Sequence, residues 1–104
     1  MPDERRKRST EVVEQVEQQL KQPPMFRVLL HNDDYTTMDF VVAVLESIFL
    51  MHPAEAYRVM MHVHCQGRGE CGVYPHEIAE TKVGLVHSLA RERGFPLRAS
   101  IEDA

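Results

Sequence analysis

A short polar segment, His31 to Met38, carries the side chains of this chain that are best suited to chemistry. It places an amide and two carboxylates at consecutive positions, Asn32, Asp33 and Asp34, between an apolar run and a helical pattern. Asn and Asp favour turns because their side chains bond to nearby backbone groups, so a turn is the simplest interpretation. The same side chains also form a cluster of hydrogen-bond acceptors beside an apolar wall, which suits a small cation. The segment by itself leaves both interpretations open.

A third acceptor and an apolar lining come from other parts of the chain. A neutral imidazole at His64 can accept a hydrogen bond, and Met38, Val41, Met60 and Val63 can line an apolar hole. Methionine side chains adapt to ligands of varied shape. The alternative is that these four residues are ordinary core and that the histidine is a structural residue at a helix end. A pocket that takes up a cation together with an apolar group is the more specific hypothesis.

The potential metal ligands have unfavourable spacing. Zinc sites usually combine paired ligands at regular intervals. Here the metal-binding side chains are irregularly placed: His62, His64, Cys65, Cys71 and His76. The two histidines His62 and His64 would also point to different sides of a helix. We therefore expect no metal site.

Two further catalytic patterns are incomplete. Three glycines, Gly67, Gly69 and Gly72, resemble a phosphate-binding loop, but they lack the Lys-Ser/Thr end and precede a strand, not a helix. Cys65 follows His64 directly, yet the sequence supplies neither an orienting group nor an oxyanion hole for a cysteine nucleophile. We therefore expect no catalytic residues.

Composition bounds the remaining possibilities. The chain has 104 residues, enough for one small domain with a modest core, and its 43% hydrophobic share is normal for a soluble globule. A net charge of −4 argues against general nucleic-acid binding. The sequence has neither a membrane-spanning run nor a signal peptide, so we expect no membrane association and no export. The two cysteines, Cys65 and Cys71, form no disulfide framework, which favours a reduced, cytoplasmic setting.

The first 22 residues differ from the rest. A basic run, Arg5 to Arg8, precedes a segment rich in Glu and Gln whose apolar stripe is thin: Val12, Val13, Val16 and Leu20. Because five acidic residues balance five basic ones in this segment, a solvated terminus is favoured over a nucleic-acid contact. Short isolated helices are marginal in water. We therefore interpret residues 1–22 as a mobile extension with a nascent helix, and residues 23–104 as the core domain.

The first half of the core domain predicts a strand and two helices. The apolar run Met25 to Leu30 is typical of a strand. Asp39 to Met51 has helical periodicity, and Thr36 with Asp39 three residues later resembles a capping box that starts this helix. Pro53 suits the first turn of a second helix, which we expect to end near His64.

The second half predicts a turn, a strand, a helix and a strand. Gln66 to Glu70 is interpreted as a flexible turn and Cys71 to Tyr74 as a short strand. Apolar spacings of three and four predict a helix over Pro75 to Arg93, and Gly94 is a natural C-terminal stop. Phe95 to Ile101 closes the domain as an edge strand, where a proline is tolerated. The order β-α-α-β-α-β predicts an α+β two-layer sandwich, with three helices packed on one face of a three-stranded antiparallel sheet.

A set of short stretches, spread in order over essentially all of residues 24–101, carries a family resemblance. The stretches are Val28-Leu29-Leu30, Asn32-Asp33-Asp34-Tyr35-Thr36, Met38, Phe40-Val41-Val42, Val44-Leu45, Val63-His64, Gly67, Gly69, Cys71-Gly72-Val73-Tyr74, Glu77-Ile78-Ala79-Glu80-Thr81-Lys82-Val83 and Pro96-Leu97. As a set they resemble the ClpS family, the adaptors of bacterial N-end-rule proteolysis.

The resemblance implies a non-enzymatic, monomeric, cytoplasmic adaptor without a cofactor. Such an adaptor captures proteins that begin with Leu, Phe, Tyr or Trp, and it delivers them to a ClpA- or ClpC-type AAA+ unfoldase that works with the ClpP protease. The alternative is a paralogous regulator or docking module of the unfoldase with narrowed or altered specificity. A metal-assisted hydrolase that uses the His and Cys side chains is a distant third interpretation.

The resemblance also implies roles for individual residues. Asn32, Asp34 and His64 correspond to the groups that hold the α-amine of the ligand. The pocket for the first side chain corresponds to Leu30, Thr36, Met38, Val41, Met60, Val63 and Leu97, with Met38 as the gate against β-branched residues. Glu77 and Lys82 correspond to positions that dock on the N-domain of the unfoldase.

Three residues depart from the usual family pattern. Thr37 stands where many members have proline, so we expect a looser loop around Met38. His31 and Cys65 also differ from common choices. The amine-binding residues are unaffected by these departures, and side-chain selection is where we expect any difference.

Overall fold

The computed structural model describes residues 9–17 and 23–104. The elements in chain order are α1 (9–17), β1 (Met25–His31), α2 (Met38–Ser47), α3 (Pro53–Gln66), β2 (Arg68–Pro75), α4 (His76–Arg93) and β3 (Arg98–Asp103). This order confirms the predicted sequence of elements in the core. In the described ranges, no helix has the length and apolarity needed to cross a membrane.

The N-terminal extension is described only in part. Residues 9–17 form a helix whose side chains are exposed, including Val12, Val13 and Val16. The basic run Arg5 to Arg8 and the last member of the apolar stripe, Leu20, lie outside the described residues. The mobility predicted for residues 1–22 stays a prediction.

The three strands described form an antiparallel sheet in the order β2-β1-β3. The apolar first strand is therefore central, which explains why it is the most hydrophobic of the three. The predicted edge position of the last strand is confirmed. A bulge interrupts the pairing of β1 with β2 between Val28 and Leu29.

The helices cover one face of this sheet. Val28 and Leu30 of β1 are fully buried, because alternate strand residues point into the core. In the described chain α4 contacts all three strands, α3 contacts β2, and α2 packs against α3. Val44 and Leu45 of α2 are also fully buried in the same hydrophobic cluster. The α+β two-layer fold predicted from the sequence is thus confirmed.

The ends of α2 differ from the prediction. The N-cap is Thr37, whose Oγ1 accepts a hydrogen bond from the Phe40 N–H at 3.2 Å, so the capping residue predicted at Thr36 is wrong by one position. The helix ends at Ser47 and not at Met51, because the chain turns through Leu50, whose φ of 56° is incompatible with a right-handed helix.

The boundaries of β2 and β3 also differ from the prediction. The turn predicted over Gln66 to Glu70 is too long: α3 ends at Gln66, the turn is confined to Gly67 with its φ of 89°, and β2 begins at Arg68. The N–H of Phe95 donates to the Ala90 carbonyl at 2.8 Å, which ties this segment to the end of α4 and delays β3 until Arg98. Pro96, the next residue, has no backbone N–H and so cannot donate a hydrogen bond to the sheet.

Candidate ligand-binding site

A cavity of about 220 Å³ opens between the loop after β1, the start of α2 and the second half of α3. Because one water occupies about 30 Å³ in the liquid, the space is comparable to that of a single large side chain. Its lining consists of Asn32, Asp33, Asp34, Thr36, Met38, Val41, Met60, Val63 and His64. The structure therefore brings together eight of the ten residues predicted to bind the amine and the first side chain.

Asp33 organises the loop that forms one wall of the cavity. Its carboxylate accepts hydrogen bonds from the Tyr35 N–H at 2.8 Å, the Thr36 N–H at 2.7 Å and the Thr36 hydroxyl at 2.7 Å. Burial alone would raise the pKa of this carboxyl, but the three hydrogen bonds together lower it from its ordinary value. The N–H of Asn32 donates to the Gly67 carbonyl at 2.8 Å, which ties the loop to the end of α3. Asp33 is thus committed to the loop, which leaves Asp34 as the carboxylate available to a ligand.

Three hydrogen-bond acceptors lie at the rim of the cavity. Asn32, Asp34 and His64 are exposed, and none of their side chains forms a hydrogen bond or ion pair with another residue of the described chain. An ammonium group has three N–H donors and no acceptor, so three acceptors at one opening can satisfy it fully. The carboxylate also supplies the opposite charge.

The floor of the cavity is apolar and buried. Val41, Met60 and Val63 are only 7%, 4% and 2% exposed. Met38 lies at the mouth and is 42% exposed, so its side chain has the freedom to adapt to a ligand. A buried apolar floor beneath a polar rim is suited to one hydrophobic side chain attached to a charged group.

Two residues assigned to the side-chain pocket lie elsewhere. Leu30 is 0% exposed and Leu97 is 4% exposed, and both belong to the hydrophobic core, outside the described lining of the cavity. They belong to the same hydrophobic cluster as the floor residues Val41, Met60 and Val63. Their direct contact with a ligand stays a prediction.

The position of Val63 depends on a glycine in the neighbouring strand. A Cβ atom added to Gly69 would lie 2.7 Å from the Val63 Cγ2, so any larger residue there would displace the cavity floor. Sequence reasoning missed this contact, which joins residues six positions apart across a helix end. It also missed the capping role of Thr37, and that hydroxyl anchors the loop that we expected to be looser.

The two residues predicted to dock the unfoldase lie away from the cavity. Glu77 is exposed in the first turn of α4. Lys82 is half-buried, and its Nζ donates to the Ile48 carbonyl at 2.6 Å while lying 5.8 Å and 5.2 Å from the ring centroids of Phe49 and Tyr74. Lys82 therefore links α4 to the end of α2, and any docking role is additional to this structural one.

The remaining reactive side chains are dispersed. Among the residues described, no group of three or more His, Cys, Asp and Glu side chains is placed to hold a metal ion. Cys65 is exposed, whereas Cys71 is buried, and burial raises the pKa of the Cys71 thiol to about 12. A larger hollow of about 360 Å³ lies between α3 and β2, but its charged side chains already have partners: Arg58 is paired with Glu55, and Glu70 is paired with Arg27.

Comparison with known proteins identifies the family. The model of the family described as "ATP-dependent Clp protease adaptor protein ClpS" matches residues 21–100. The chain belongs to the ClpS family. A ClpS adapter protein of Nitratidesulfovibrio vulgaris (strain Miyazaki F) is 56% identical over 96 residues, which cover 92% of this chain and 94% of that relative. The ClpS adapter protein of Desulfotalea psychrophila is 48% identical over 102 residues, 98% of each chain.

A solved structure gives the same result. The structure of Agrobacterium tumefaciens ClpS2 bound to L-phenylalaninamide matches with a TM-score of 0.77 and 40% sequence identity. The match covers 80% of this chain and 100% of that one. The ClpS family is thus supported by sequence and by fold, and its members are adaptors of the ATP-dependent Clp protease.

Proposed function

We propose that this ClpS-family protein binds the free N-terminus of proteins that begin with Leu, Phe, Tyr or Trp and delivers them to a Clp protease. The observation that carries the proposal is the cavity itself, which combines three uncommitted acceptors at its rim with a buried apolar floor. Agrobacterium ClpS2 was solved with L-phenylalaninamide, a molecule with one free α-amine and one aromatic side chain. The same two features fit the two parts of this cavity.

The α-amine is held at the rim. Asn32, Asp34 and the neutral imidazole of His64 accept its three N–H donors. Hydrogen bonds to a charged group contribute about 1.5–3 kcal/mol each. The rim side chains have no hydrogen bonds within the described chain that would have to break first. An acetylated N-terminus has neither the charge nor three donors, so it is excluded.

The first side chain occupies the apolar floor. Burying a Leu or Phe side chain contributes about 1.5–3 kcal/mol. After the entropy cost of association is subtracted, an affinity near the micromolar range is reasonable for a carrier that has to release its cargo. Met38 narrows the mouth and disfavours residues that branch at Cβ.

Delivery requires a second surface. Glu77 and Lys82 on α4 dock on the N-domain of a ClpA- or ClpC-type AAA+ unfoldase that works with ClpP, and the adaptor acts as a cytoplasmic monomer without catalytic activity of its own. The exposed carboxylate of Glu77 lies on a different element from the cavity, so the protein is able to hold substrate and unfoldase at the same time.

Degradation of a reporter protein tests the whole proposal. We expect a Leu-initiated reporter to be degraded by the unfoldase and ClpP of the source bacterium only when the adaptor is added, whereas an Ile-initiated reporter is spared. Glu77→Gln should abolish delivery while leaving the affinity for a Leu-initiated peptide unchanged. Inhibition of the unfoldase without any peptide binding would instead support a paralogous regulator or docking module.

A further inference from the structure

The face of the sheet that carries no described helix has an unusual distribution of charge. In its centre the Arg27 guanidinium bridges the outer strands, donating to Glu70 at 2.8 Å and to Glu102 at 3.0 Å. Both carboxylates of this network are therefore already paired with one arginine. Any further arginine on the same face has little negative charge left to balance it.

Two further arginines lie on this face, at the end nearest the cavity. His31 of β1 is paired in register with Arg68 of β2 and with Arg98 of β3. Directly opposed residues of an antiparallel sheet point to the same face, so the three side chains form a row across the strands. We call Arg68, His31 and Arg98 the cationic row. Since neighbouring strands are about 4.8 Å apart, its two arginines begin about 10 Å from each other.

The cationic row has an excess of positive charge. Arg68 contacts Glu102 only at 3.9 Å, and the other oxygen of that carboxylate already accepts from Arg27. Arg98 forms no ion pair with any residue in the described ranges. Burial lowers the pKa of His31, and the charges of Arg98 and Arg68 lower it further, which is the effect expected of a locally positive field.

The row lies next to the rim of the cavity. Asn32 follows His31 directly and lines the cavity. The Gly67 carbonyl accepts a hydrogen bond from the Asn32 N–H at 2.8 Å, and Gly67 directly precedes Arg68. A polypeptide whose first residue occupies the cavity has its third to fifth residues within about 7–14 Å of the first Cα when extended. Arg68 is one residue from Gly67 and Arg98 is paired with His31, so both arginines begin close to Asn32 at the rim. The Debye length at physiological salt is about 8 Å, so charges at this separation are only partly screened.

We propose that Arg68 and Arg98 make this adaptor favour ligands with carboxylate side chains at the third to fifth residues. The inference rests on the proposed function, because it concerns the segment of a ligand whose first residue occupies the cavity. The second residue is excluded, since a carboxylate there would lie close to Asp34. The row therefore adds a charge preference to a site that otherwise reads only the first residue.

Binding of matched peptides tests this proposal. Three Leu-initiated peptides carry Asp, Asn or Lys at the third to fifth positions and are otherwise identical. We expect the wild type to bind the Asp peptide about two- to fivefold more tightly than the Asn peptide, and the Lys peptide more weakly, as exposed ion pairs of this kind allow. The preference should disappear in the double variant Arg68→Gln/Arg98→Gln and at high salt, and Arg98→Lys should retain it.

The controls separate the possible failures. Arg91→Gln changes an exposed arginine of α4 and should leave the preference intact. Equal binding of the Asp and Asn peptides, or a preference that survives in the double variant, would overturn the inference while leaving the proposed function standing. Binding of an N-acetylated Asp peptide as tight as that of its free twin would show a general surface for acidic chains and would also overturn it. If no Leu-initiated peptide binds, the proposed function fails and the inference fails with it.

Discussion

The rim and the floor of the cavity are built on opposite principles. Asn32 and Asp34 at the rim are exposed and have no internal side-chain partners in the described structure, whereas Met60 and Val63 of the floor are buried in the hydrophobic core. The rim is therefore free for a ligand, and its residues contribute little to the stability of the fold. The floor serves the fold and the ligand at once. Substitutions in the two regions should consequently separate binding from stability.

The largest effect is expected from the floor. Met60→Ala should lower the free energy of unfolding by about 2–5 kcal/mol, because it removes a buried side chain and leaves a void. Met38→Ala is the matched control: the same change at a residue that is 42% exposed should cost less than about 1 kcal/mol. Urea denaturation followed by circular dichroism measures both values. An equal loss of unfolding free energy at the two positions would contradict the distinction between a buried floor at Met60 and an exposed mouth at Met38.

The next effect concerns the rim. Asp34→Asn should weaken binding of a Leu-initiated peptide by at least about tenfold, because a hydrogen bond to the ammonium loses its charge, while stability changes by less than about 0.5 kcal/mol. Asp39→Asn, also exposed but outside the cavity lining, is the control and should leave the affinity unchanged. Fluorescence anisotropy with a labelled peptide gives both affinities. An Asp34→Asn variant that binds like the wild type would remove this carboxylate from the amine site.

A smaller effect is expected on selectivity at the mouth of the cavity. Met38→Ala widens the opening, so peptides that begin with Ile or Val should gain affinity relative to one that begins with Leu. Differences of one methylene in an apolar pocket are worth about 1–3 kcal/mol at most. Competition titrations with the Ile-, Val- and Leu-initiated peptides rank the first residues before and after the change. An unchanged ranking would mean that Met38 packs against the floor without gating it.

The smallest effect is an acid sensitivity of the loop. Because the folded pKa of Asp33 lies below its ordinary value, the carboxylate stabilises the fold above about pH 4, and this contribution is lost as the pH falls further. Asp33→Asn keeps an oxygen acceptor for the Tyr35 and Thr36 N–H groups but cannot titrate. The wild type should therefore lose stability more steeply than this variant between pH 4 and pH 2. Parallel pH profiles of the free energy of unfolding would contradict the assignment of Asp33 to the loop.

The contrast between local and long-range interactions also explains what the sequence could predict. Apolar periodicity, together with the prolines and glycines between elements, predicted the order of the core elements, and the cluster of polar residues after β1 predicted the position of the site. The end of α2 could not be predicted, because the apolar pattern continues through Leu50 while its backbone adopts a positive φ. The start of β2 could not be predicted, because a glycine such as Gly69 usually indicates a turn. Here Gly69 lies in the strand because its close contact with Val63 leaves no room for a side chain, and only the packed structure shows that contact.

The different roles of Asp33 and Asp34 could be predicted only in part. The family resemblance assigned Asp34 to the ligand, and the structure shows why Asp33 is unavailable: three hydrogen bonds commit it to the loop. The assignment of Leu30 and Leu97 to the pocket came from the family resemblance, and in the described structure both are buried in the hydrophobic core and do not line the cavity. A static cavity does not include residues that a ligand would reach only after the floor adjusts.

The α-amine is the most direct point at which to test this account. Isothermal titration of the wild type with a Leu-initiated peptide and with its N-acetylated twin changes only the charge and donors of the N-terminus. The account predicts measurable binding of the free peptide and a loss of more than about tenfold on acetylation, because the acetylated nitrogen is uncharged and has one donor left for three acceptors. Equal affinity of the two peptides would contradict it, since the exposed acceptors of the rim would then have no part in binding.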